Sequence, residues 1–363
     1  MLEALAQTRS MSAPRGDRAG RARLALGLLA GALLVAMVAS LMVGAADADV
    51  PRALFDLLGL AGRHDPARLR DHVIVFDIRL PRMLMGVLVG AGLAVSGAVL
   101  QGLFRNPLAD PGLVGVSSGA GLGAVLFIVL GSAALGPLAA AFGAYAVPVA
   151  AFAGGLASTA LLYAIATRSG RTAIATLLLA GIALGALTGA LTGLLVYAAN
   201  DSQLRDLTFW GLGSLAGADW TKLASAGPVI VVALAATPFL ASGLNAMTLG
   251  EATAHHLGVP VQRLKTIAIL SVAGATGAAV AASGGIGFVG IVVPHLLRLT
   301  IGPDHRFLLP GSALLGAVFL LGADCVSRIV VAPAELPIGI VTAVVGGPFF
   351  LWILLRRRGG IAW

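Results

Sequence analysis

Ten apolar runs follow one another along the chain, separated by shorter segments that carry most of the charged residues. The runs cover residues 24–43, 83–103, 112–132, 143–166, 172–197, 226–243, 266–283, 285–301, 309–331 and 337–355. A helix that crosses a bilayer needs about 20 consecutive, predominantly apolar residues, and each run is close to that length. The pattern therefore predicts an all-α, polytopic membrane protein with about ten transmembrane helices.

The amino-acid composition excludes a water-soluble globular protein. Hydrophobic residues make up 58% of the 363-residue chain and charged residues only 11%, with a mean hydropathy of +0.96. Soluble domains average about 45–50% apolar and about 25% charged residues. Glycine contributes 49 residues, nearly twice its usual share, and small residues let helices approach closely in lipid. We therefore expect a tightly packed helix bundle.

The basic residues are distributed as in a membrane protein rather than a nucleic-acid-binding protein. The net charge is +8, but only two of the 24 basic residues are lysines, and the arginines lie scattered in short loops. We predict a cytoplasmic Arg-rich tail at 1–23, one transmembrane domain at 24–355 and a cytoplasmic tail at 356–363. An even number of spans and the excess of basic residues inside place both termini in the cytoplasm. The small-residue stretch 45–48 resembles a signal-peptidase site, but the first run is longer than a signal-peptide core.

The sequence lacks the motifs of an enzyme or a nucleotide-binding protein. No glycine is followed by lysine, so a GxxxxGK[ST] phosphate loop is missing. Residues 285–290 match GxGxxG, but the motif opens a membrane helix, where close helix packing explains the glycines. The six histidines form neither an HExxH motif nor a Cys/His cluster. We therefore predict no catalytic residue and no metal site.

The energy for transport is expected to come from another protein. Asp324 and Glu335 lie towards the outer ends of their segments, and we place no Asp or Glu near the centre of a span. Ion-coupled transporters usually keep an ionisable residue at that depth. An ion-coupled secondary transporter and an intramembrane enzyme remain as alternatives of other classes.

Two segments carry patterns that point to function. Residues 244–262 are expected to form a compact cytoplasmic helical element, because Thr248 and Glu251 have the spacing of a capping box. Gly181, Gly185, Gly189 and Gly193 recur every four residues and so share one helix face. That face either packs against another helix or borders a wide conduit for a bulky solute.

Four motifs together resemble the FecCD family of ABC importer permeases. They are RLPR at 79–82, LQGLFRNPLADPGLVGVSSGAG at 100–121, GFVGIVVPHLLR at 287–298 and AELPIG at 334–339. The four motifs occur in the same order as in the family, and the resemblance covers about residues 75–355. It implies a type II importer fold like that of the vitamin B12 permease.

The resemblance also implies partners and cargo. The family imports vitamin B12, haem and iron–siderophore complexes, and its permeases form homodimers in the bacterial inner membrane. Two cytoplasmic ATPase subunits, which use ATP and Mg, and a periplasmic substrate-binding protein complete the assembly, so no cofactor is expected in this chain. Residues 201–215 look more like the haem and iron-complex members, which favours haem over a siderophore or vitamin B12.

The resemblance assigns roles to individual positions. The residues expected to dock the binding protein are Arg79, Arg82 and Arg328. The residues expected to contact and couple to the ATPase are Leu249, Gly250, Glu251, His255, His256, Leu257 and Gly258. The inner gate matches Asn106, Leu108 and Leu179, and the pathway beside it is lined by the fifth span, which carries the glycine strip, and the tenth.

Overall fold

A computed structural model describes residues 18–44, 46–57, 66–131, 135–168 and 171–356, and this part of the chain is almost entirely helical. The α-helices are α1 (Arg18–Met42), α2 (Val50–Leu57), α3 (Pro66–His72), α4 (Leu80–Leu103), α5 (Val116–Leu130), α6 (Gly136–Phe142), α7 (Ala146–Ala166), α8 (Ile174–Ala198), α9 (Asp201–Leu212), α10 (Trp220–Ala236), α11 (Ala241–Met247), α12 (Glu251–His256), α13 (Val261–Ser283), α14 (Val289–Thr300), α15 (His305–Ile329) and α16 (Ile338–Arg356). Shorter elements are a π-helical turn (Val73–Arg79), three 3₁₀ turns (Pro111–Val114, Gly143–Tyr145 and Thr237–Leu240) and an antiparallel pair of two-residue strands, β1 (Thr167–Arg168) and β2 (Arg171–Thr172).

The helices match the predicted apolar runs one to one. Seven helical stretches of the described chain are long and apolar enough to cross a bilayer, and three shorter apolar helices complete the set. The long stretches are Ala19–Met42, Leu69–Leu103, Gly136–Ala166, Ile174–Ala198, Trp220–Met247, Val261–Ser283 and His305–Ile329, and the short ones are Val116–Leu130, Val289–Thr300 and Ile338–Trp352. The prediction of an all-α, polytopic protein is confirmed.

Several helical stretches begin earlier than the predicted runs, and the second span does so most. Helix α1 begins at Arg18, within the segment predicted as a tail, and residues 1–17 and 357–363 of the two tails lie outside the described residues. The second span begins well before residue 83, because α3 and the π-helical turn lead directly into α4. Pro81 lacks the N–H that an α-helical turn uses, and the wider turn lies just before it.

Helix α4 lies at the centre of the bundle and packs against α10, α13, α14 and α15. Glycines allow these contacts: a β-carbon on Gly90 would collide with the backbone of Gly316 in α15, and one on Gly97 with the backbone of Gly290 in α14. In the GxGxxG segment, Gly285 and Gly290 lie against neighbouring backbone, as predicted, whereas a β-carbon on Gly287 would meet nothing within 4 Å. The tight packing expected from the glycine content is present around α4.

Candidate functional site

A buried cluster of charges lies where α4 begins and α15 ends. Arg82 donates to Asp324 Oδ1 from Nη2 at 2.8 Å and from Nε at 3.1 Å. Arg328 Nη2 lies 2.8 Å from Asp324 Oδ2, an ion pair without hydrogen-bond geometry. Asp324 is only 1% exposed, so two buried guanidinium groups share one buried carboxylate. We call this end of the bundle, defined by Arg79, Arg82 and Arg328, the arginine end.

Glu335 forms the accessible edge of this cluster. Its Oε1 accepts a hydrogen bond from Arg82 Nη1 at 2.8 Å, and 34% of its side chain is exposed. Because ion pairs near solvent are weak, the Glu335 contact is the exchangeable one, whereas the Asp324 contact is held in the interior.

Two of the arginines also bind the end of α1. Arg79 Nη1 donates to the carbonyl of Leu41 at 2.7 Å and to that of Met42 at 3.1 Å, and Arg328 Nη1 donates to the carbonyl of Val43 at 2.7 Å. The last carbonyls of a helix have no partner within it, and cations there also interact favourably with the helix dipole. The arginines therefore fasten the first helix to α4 and α15.

The three predicted docking arginines are thus buried groups with partners inside the chain. Arg79, Arg82 and Arg328 are 4%, 5% and 4% exposed. The sequence identified the residues but not their environment, because Arg82 and Asp324 are 242 positions apart. Their role in docking a binding protein stays a prediction.

The predicted cytoplasmic element contains a short exposed helix at the opposite end of the bundle. Helix α12 is flanked by Leu249 and Leu257, which are 66% and 62% exposed. Around them Gly250 is half-buried, and exposed positions are Glu251, His255, His256 and Gly258; their role in ATPase coupling stays a prediction. We call the end defined by residues 244–262 the coupling end. Exposed leucines on both sides of a helix form an apolar surface that a partner can cover.

The predicted capping box is wrong. Gly250, with a φ of 107°, occupies the N-cap of α12, and no side chain caps the helix. Thr248 instead follows the end of α11 and donates to the carbonyl of Asn245 at 2.7 Å. Glycine suits a positive φ because it has no Cβ. The chain therefore turns at Gly250 before α12, and Thr248 lies before that turn rather than at the N-cap.

Glu251 instead ties α12 to the bundle. Its Oε1 lies 2.7 Å from Lys265 Nζ, and the same ammonium group donates to the carbonyl of Thr172 at 2.8 Å. Lys265 is 1% exposed. Removing one partner from such a pair leaves a buried charge uncompensated, so the Glu251–Lys265 pair anchors α12 on α13. The role of Lys265 was not predicted, although it is one of only two lysines.

A second polar contact joins the coupling end to α15. Asn245 donates from Nδ2 to Asp304 Oδ1 at 2.8 Å, and its Oδ1 accepts from the backbone N–H of His305 at 2.9 Å. Hydrogen bonds from Arg306 lower the pKa of Asp304 to about 2. Asp304 therefore stays charged at neutral pH and caps the first turn of α15 through the backbone N–H of Arg306. Asn245 and Asp304 were not predicted as functional residues.

Helix α8 carries the predicted glycine strip on a largely exposed, apolar surface. Gly181 is buried and Gly185 half-buried, whereas a β-carbon on Gly189 or Gly193 would have nothing within 4 Å. Leu179 is 69% exposed. The outer half of the strip therefore does not pack against another described helix of this chain.

The other predicted gate residues lie in the loop after α4. Asn106 is exposed, and its Oδ1 accepts a hydrogen bond from the backbone N–H of Leu108 at 3.0 Å. This local bond fixes the turn that sends the chain back towards α5. The residues are thus accessible at the coupling end, and their role as a gate stays a prediction.

One carboxylate lies deeper than predicted. A β-carbon on Gly290 would lie 3.2 Å from the carbonyl oxygen of Leu93 and 3.3 Å from Asp110 Oδ2. Leu93 is roughly halfway along α4, so Asp110 lies at mid-bundle depth, because the chain turns back into the bundle before α5. The expectation that no carboxylate lies there is wrong, and the absence of one no longer argues against ion coupling.

No group of three or more His, Cys, Asp or Glu side chains suited to a metal ion occurs among the described residues. The arrangement instead offers a buried charge cluster with one accessible edge, Glu335, at one end, an exposed helix at the other and an apolar helix face between them. Such an arrangement suits a membrane protein that contacts other proteins at both ends.

Comparisons with known proteins agree with this arrangement. The FecCD transport family model matches residues 32–356. The hemin transport system permease protein HmuU of Yersinia pestis is 50% identical over 285 residues, which cover 78% of this chain and 84% of HmuU. The cobalamin import system permease protein BtuC of Halobacterium salinarum is 48% identical over 286 residues, which cover 79% of this chain and 74% of BtuC.

A solved structure supports the same assignment. It is described as an inward-facing conformation of a metal-chelate type ABC transporter, and it is 34% identical with a TM-score of 0.78, covering 91% of this chain and 98% of the other. The family match extends over most of the sequence, and the structural match extends over most of the fold. The chain belongs to the FecCD transport family and is a multi-pass, non-catalytic permease subunit of an ABC importer of the inner membrane.

Proposed function

We propose that this permease imports haem across the bacterial inner membrane, as half of a homodimer driven by ATP. The observation that carries the haem assignment is the 50% identity to a hemin transport permease over 285 residues. Both termini are proposed to lie in the cytoplasm, so the coupling end faces the cytoplasm and the arginine end faces the periplasm.

Vitamin B12 is the second candidate cargo. A cobalamin import permease is 48% identical over nearly the same length, and the two identities differ too little to exclude it. The structural relative described as a metal-chelate type transporter adds iron–siderophore complexes as a third candidate.

Helix α8 supports the proposed homodimer. Its exposed face carries Leu187, Leu191 and Leu194, which are 56%, 41% and 65% exposed, next to the open positions Gly189 and Gly193. Small residues allow close helix contact in lipid. A second copy facing this helix would enclose a pathway lined by α8 and α16, closed at the coupling end by Asn106, Leu108 and Leu179.

Helix α12 is the proposed contact for the ATPase subunit, which is expected to bind ATP and Mg, whereas no cofactor is expected in this chain. The exposed Leu249 and Leu257 would enter a groove of the ATPase. Two rigid links, Glu251 to Lys265 and Asn245 to Asp304, would then transmit its movement to α13 and α15.

The arginine end is the proposed docking surface for the binding protein. A carboxylate of the binding protein would displace Glu335 from Arg82, while the buried Asp324 keeps Arg82 and Arg328 in place. Arginine suits this role because its guanidinium group binds carboxylates with defined geometry.

The cargo is tested by ATP hydrolysis in proteoliposomes containing the permease and its ATPase. Binding protein loaded with haem is expected to stimulate hydrolysis, whereas binding protein loaded with a ferric siderophore or vitamin B12 is not. Stimulation by vitamin B12 alone would overturn the haem assignment and leave the importer assignment intact.

A further inference from the structure

Two adjoining apolar cavities form one furrow on the outside of the bundle between α10 and α13. The first, of about 400 Å³, also borders α6 and α7, and the second, of about 560 Å³, continues along the same two helices. Both are lined by Val229. The furrow runs from Lys222 to Ala236, which is roughly 21 Å of helix.

The dimensions and lining of the furrow suit a hydrocarbon chain. Half of the roughly 30 Å hydrocarbon core of a bilayer is about 15 Å, so the furrow is longer than one leaflet is deep. Along α13 the wall of the furrow contains four residues with small side chains or none, namely Gly274, Ala278, Ala281 and Ala282. The remaining wall residues of α13 are Ile267, Leu270 and Ser271. The floor is formed where α10 and α13 touch, near Val229 and Ala233.

One mouth of the furrow carries a positive charge. Lys222 Nζ donates to the carbonyl of Gly217 at 2.6 Å, and an ammonium group has three donors, so two remain for an anion. Asp219 is the N-cap of α10, and its Oδ1 accepts a hydrogen bond from the backbone N–H of Lys222 at 2.6 Å. Asp219 does not line the furrow. Trp220 lies near this level but does not line the furrow; its indole N–H donates to the carbonyl of Phe76 at 2.9 Å.

We propose that this furrow binds a phospholipid, with one acyl chain along α10 and α13 and the phosphate on Lys222. The apolar length matches the acyl chain of such a lipid, and the single ammonium group at one mouth matches its phosphate. Helix α10 packs on α13 and α4, whereas α8, the proposed dimer helix, packs on α5 and α7. The lipid site and the proposed dimer contact are therefore carried by different helices.

The proposal is tested with the full-length permease purified in a mild detergent. A phosphatidylglycerol with a photoactivatable diazirine on one acyl chain is titrated in, and the labelled peptides are identified by mass spectrometry. Labelling is expected within 220–236 and 267–282, and within 141–152 beside the first cavity. Lys222→Ala is expected to weaken binding about fivefold, which corresponds to the roughly 1 kcal/mol that one lysine contributes near a lipid surface.

A second variant tests the apolar part of the site. Ala282→Trp places a bulky side chain in the furrow and is expected to abolish labelling there. The controls are Arg205→Ala, an exposed basic residue of α9, and Leu161→Trp, an exposed position of α7 outside the furrow; neither should change labelling. Labelling spread evenly over the apolar surface, or unchanged by both furrow variants, would overturn the proposal. The proposal would also be overturned if the variant Val232→Cys formed a disulfide between two copies of the permease, because a second copy would then cover the furrow.

Discussion

Asp324 is the residue on which the arginine end depends. It is 1% exposed and lies 2.8 Å from both Arg82 and Arg328. Burying an ion is costly unless it is paired, and here one carboxylate compensates two buried cations. Glu335 supplies the missing second negative charge from the edge.

Replacing Asp324 with Asn is expected to lower the free energy of unfolding by about 3–5 kcal/mol, because two buried guanidinium groups lose their shared carboxylate. Denaturant unfolding of the purified permease measures the change. Glu335→Gln serves as the control and is expected to cost about 1 kcal/mol or less, since a third of that side chain is exposed. Equal losses for the two variants would contradict the buried cluster as the source of stability.

The docking proposal makes a different prediction for the same Glu335→Gln variant. If Glu335 competes with a carboxylate of the binding protein for Arg82, removing its charge should tighten the association and make it fall more steeply with salt. Surface plasmon resonance at several salt concentrations measures both effects. Association that is unchanged or weaker would remove Arg82 as the docking group.

For single residues, the sequence predicted which side chains belong to the site better than it predicted their burial and their partners. The RLPR motif identified Arg79 and Arg82, but their burial depends on partners far away in sequence, such as Asp324. The depth of Asp110 was not predicted, because a short re-entrant loop after α4 has the same composition as a surface loop.

Among the elements, α8 and α12 contact little of their own chain and therefore offer surfaces to partners. Gly189 and Gly193 of α8 have no neighbouring atoms within 4 Å of an added β-carbon. Gly97 of α4, in contrast, is pressed against Gly290. Both kinds of glycine look alike in sequence, and only the packing separates them.

The double variant Gly189→Leu, Gly193→Leu is expected to fold with unchanged thermal stability, because leucine favours helix more than glycine does and meets no atom of its own chain. It should nevertheless lose the homodimer and transport, measured by native mass spectrometry and uptake into proteoliposomes. Gly97→Ala, the control, should destabilise the fold itself. A leucine variant that dimerises and transports normally would remove α8 from the pathway.

Lys265→Met tests the link from α12 to the bundle. The methionine keeps the apolar stem but loses the contacts to Glu251 and Thr172, so α12 should move without carrying α13. We expect ATP hydrolysis to continue while cargo transported per ATP falls at least about tenfold, equivalent to ~1.4 kcal/mol of lost coupling. Arg205→Met, at an exposed basic residue of α9, is the control with unchanged coupling. Equal falls in hydrolysis and transport would instead indicate a general folding defect.

The elements were largely predictable because hydrophobic runs of about 20 residues have few alternatives in a membrane. The capping box at Thr248 failed because the same residues can end one helix instead of starting the next, and Gly250 with its positive φ decided between the two. The Glu251–Lys265 pair has no local signal at all.

For the molecule as a whole, the two proposed contact surfaces lie at opposite ends of one helix. Helix α15 begins at His305, beside Asn245, and ends next to Arg328. Its 25 residues span roughly 37 Å, about the thickness of a bilayer with part of its headgroup layers. A rigid helix of this length gives the proposed ATPase contact a direct mechanical connection to the proposed docking surface.

Uptake of haem by proteoliposomes tests the central claim most directly, namely that this chain is a passive pathway driven by a separate ATPase. We predict uptake only when the ATPase, ATP, Mg and loaded binding protein are all supplied, and none from the chain alone under a proton or sodium gradient. Gradient-driven uptake by the chain alone would contradict the account and would point to the carboxylate of Asp110.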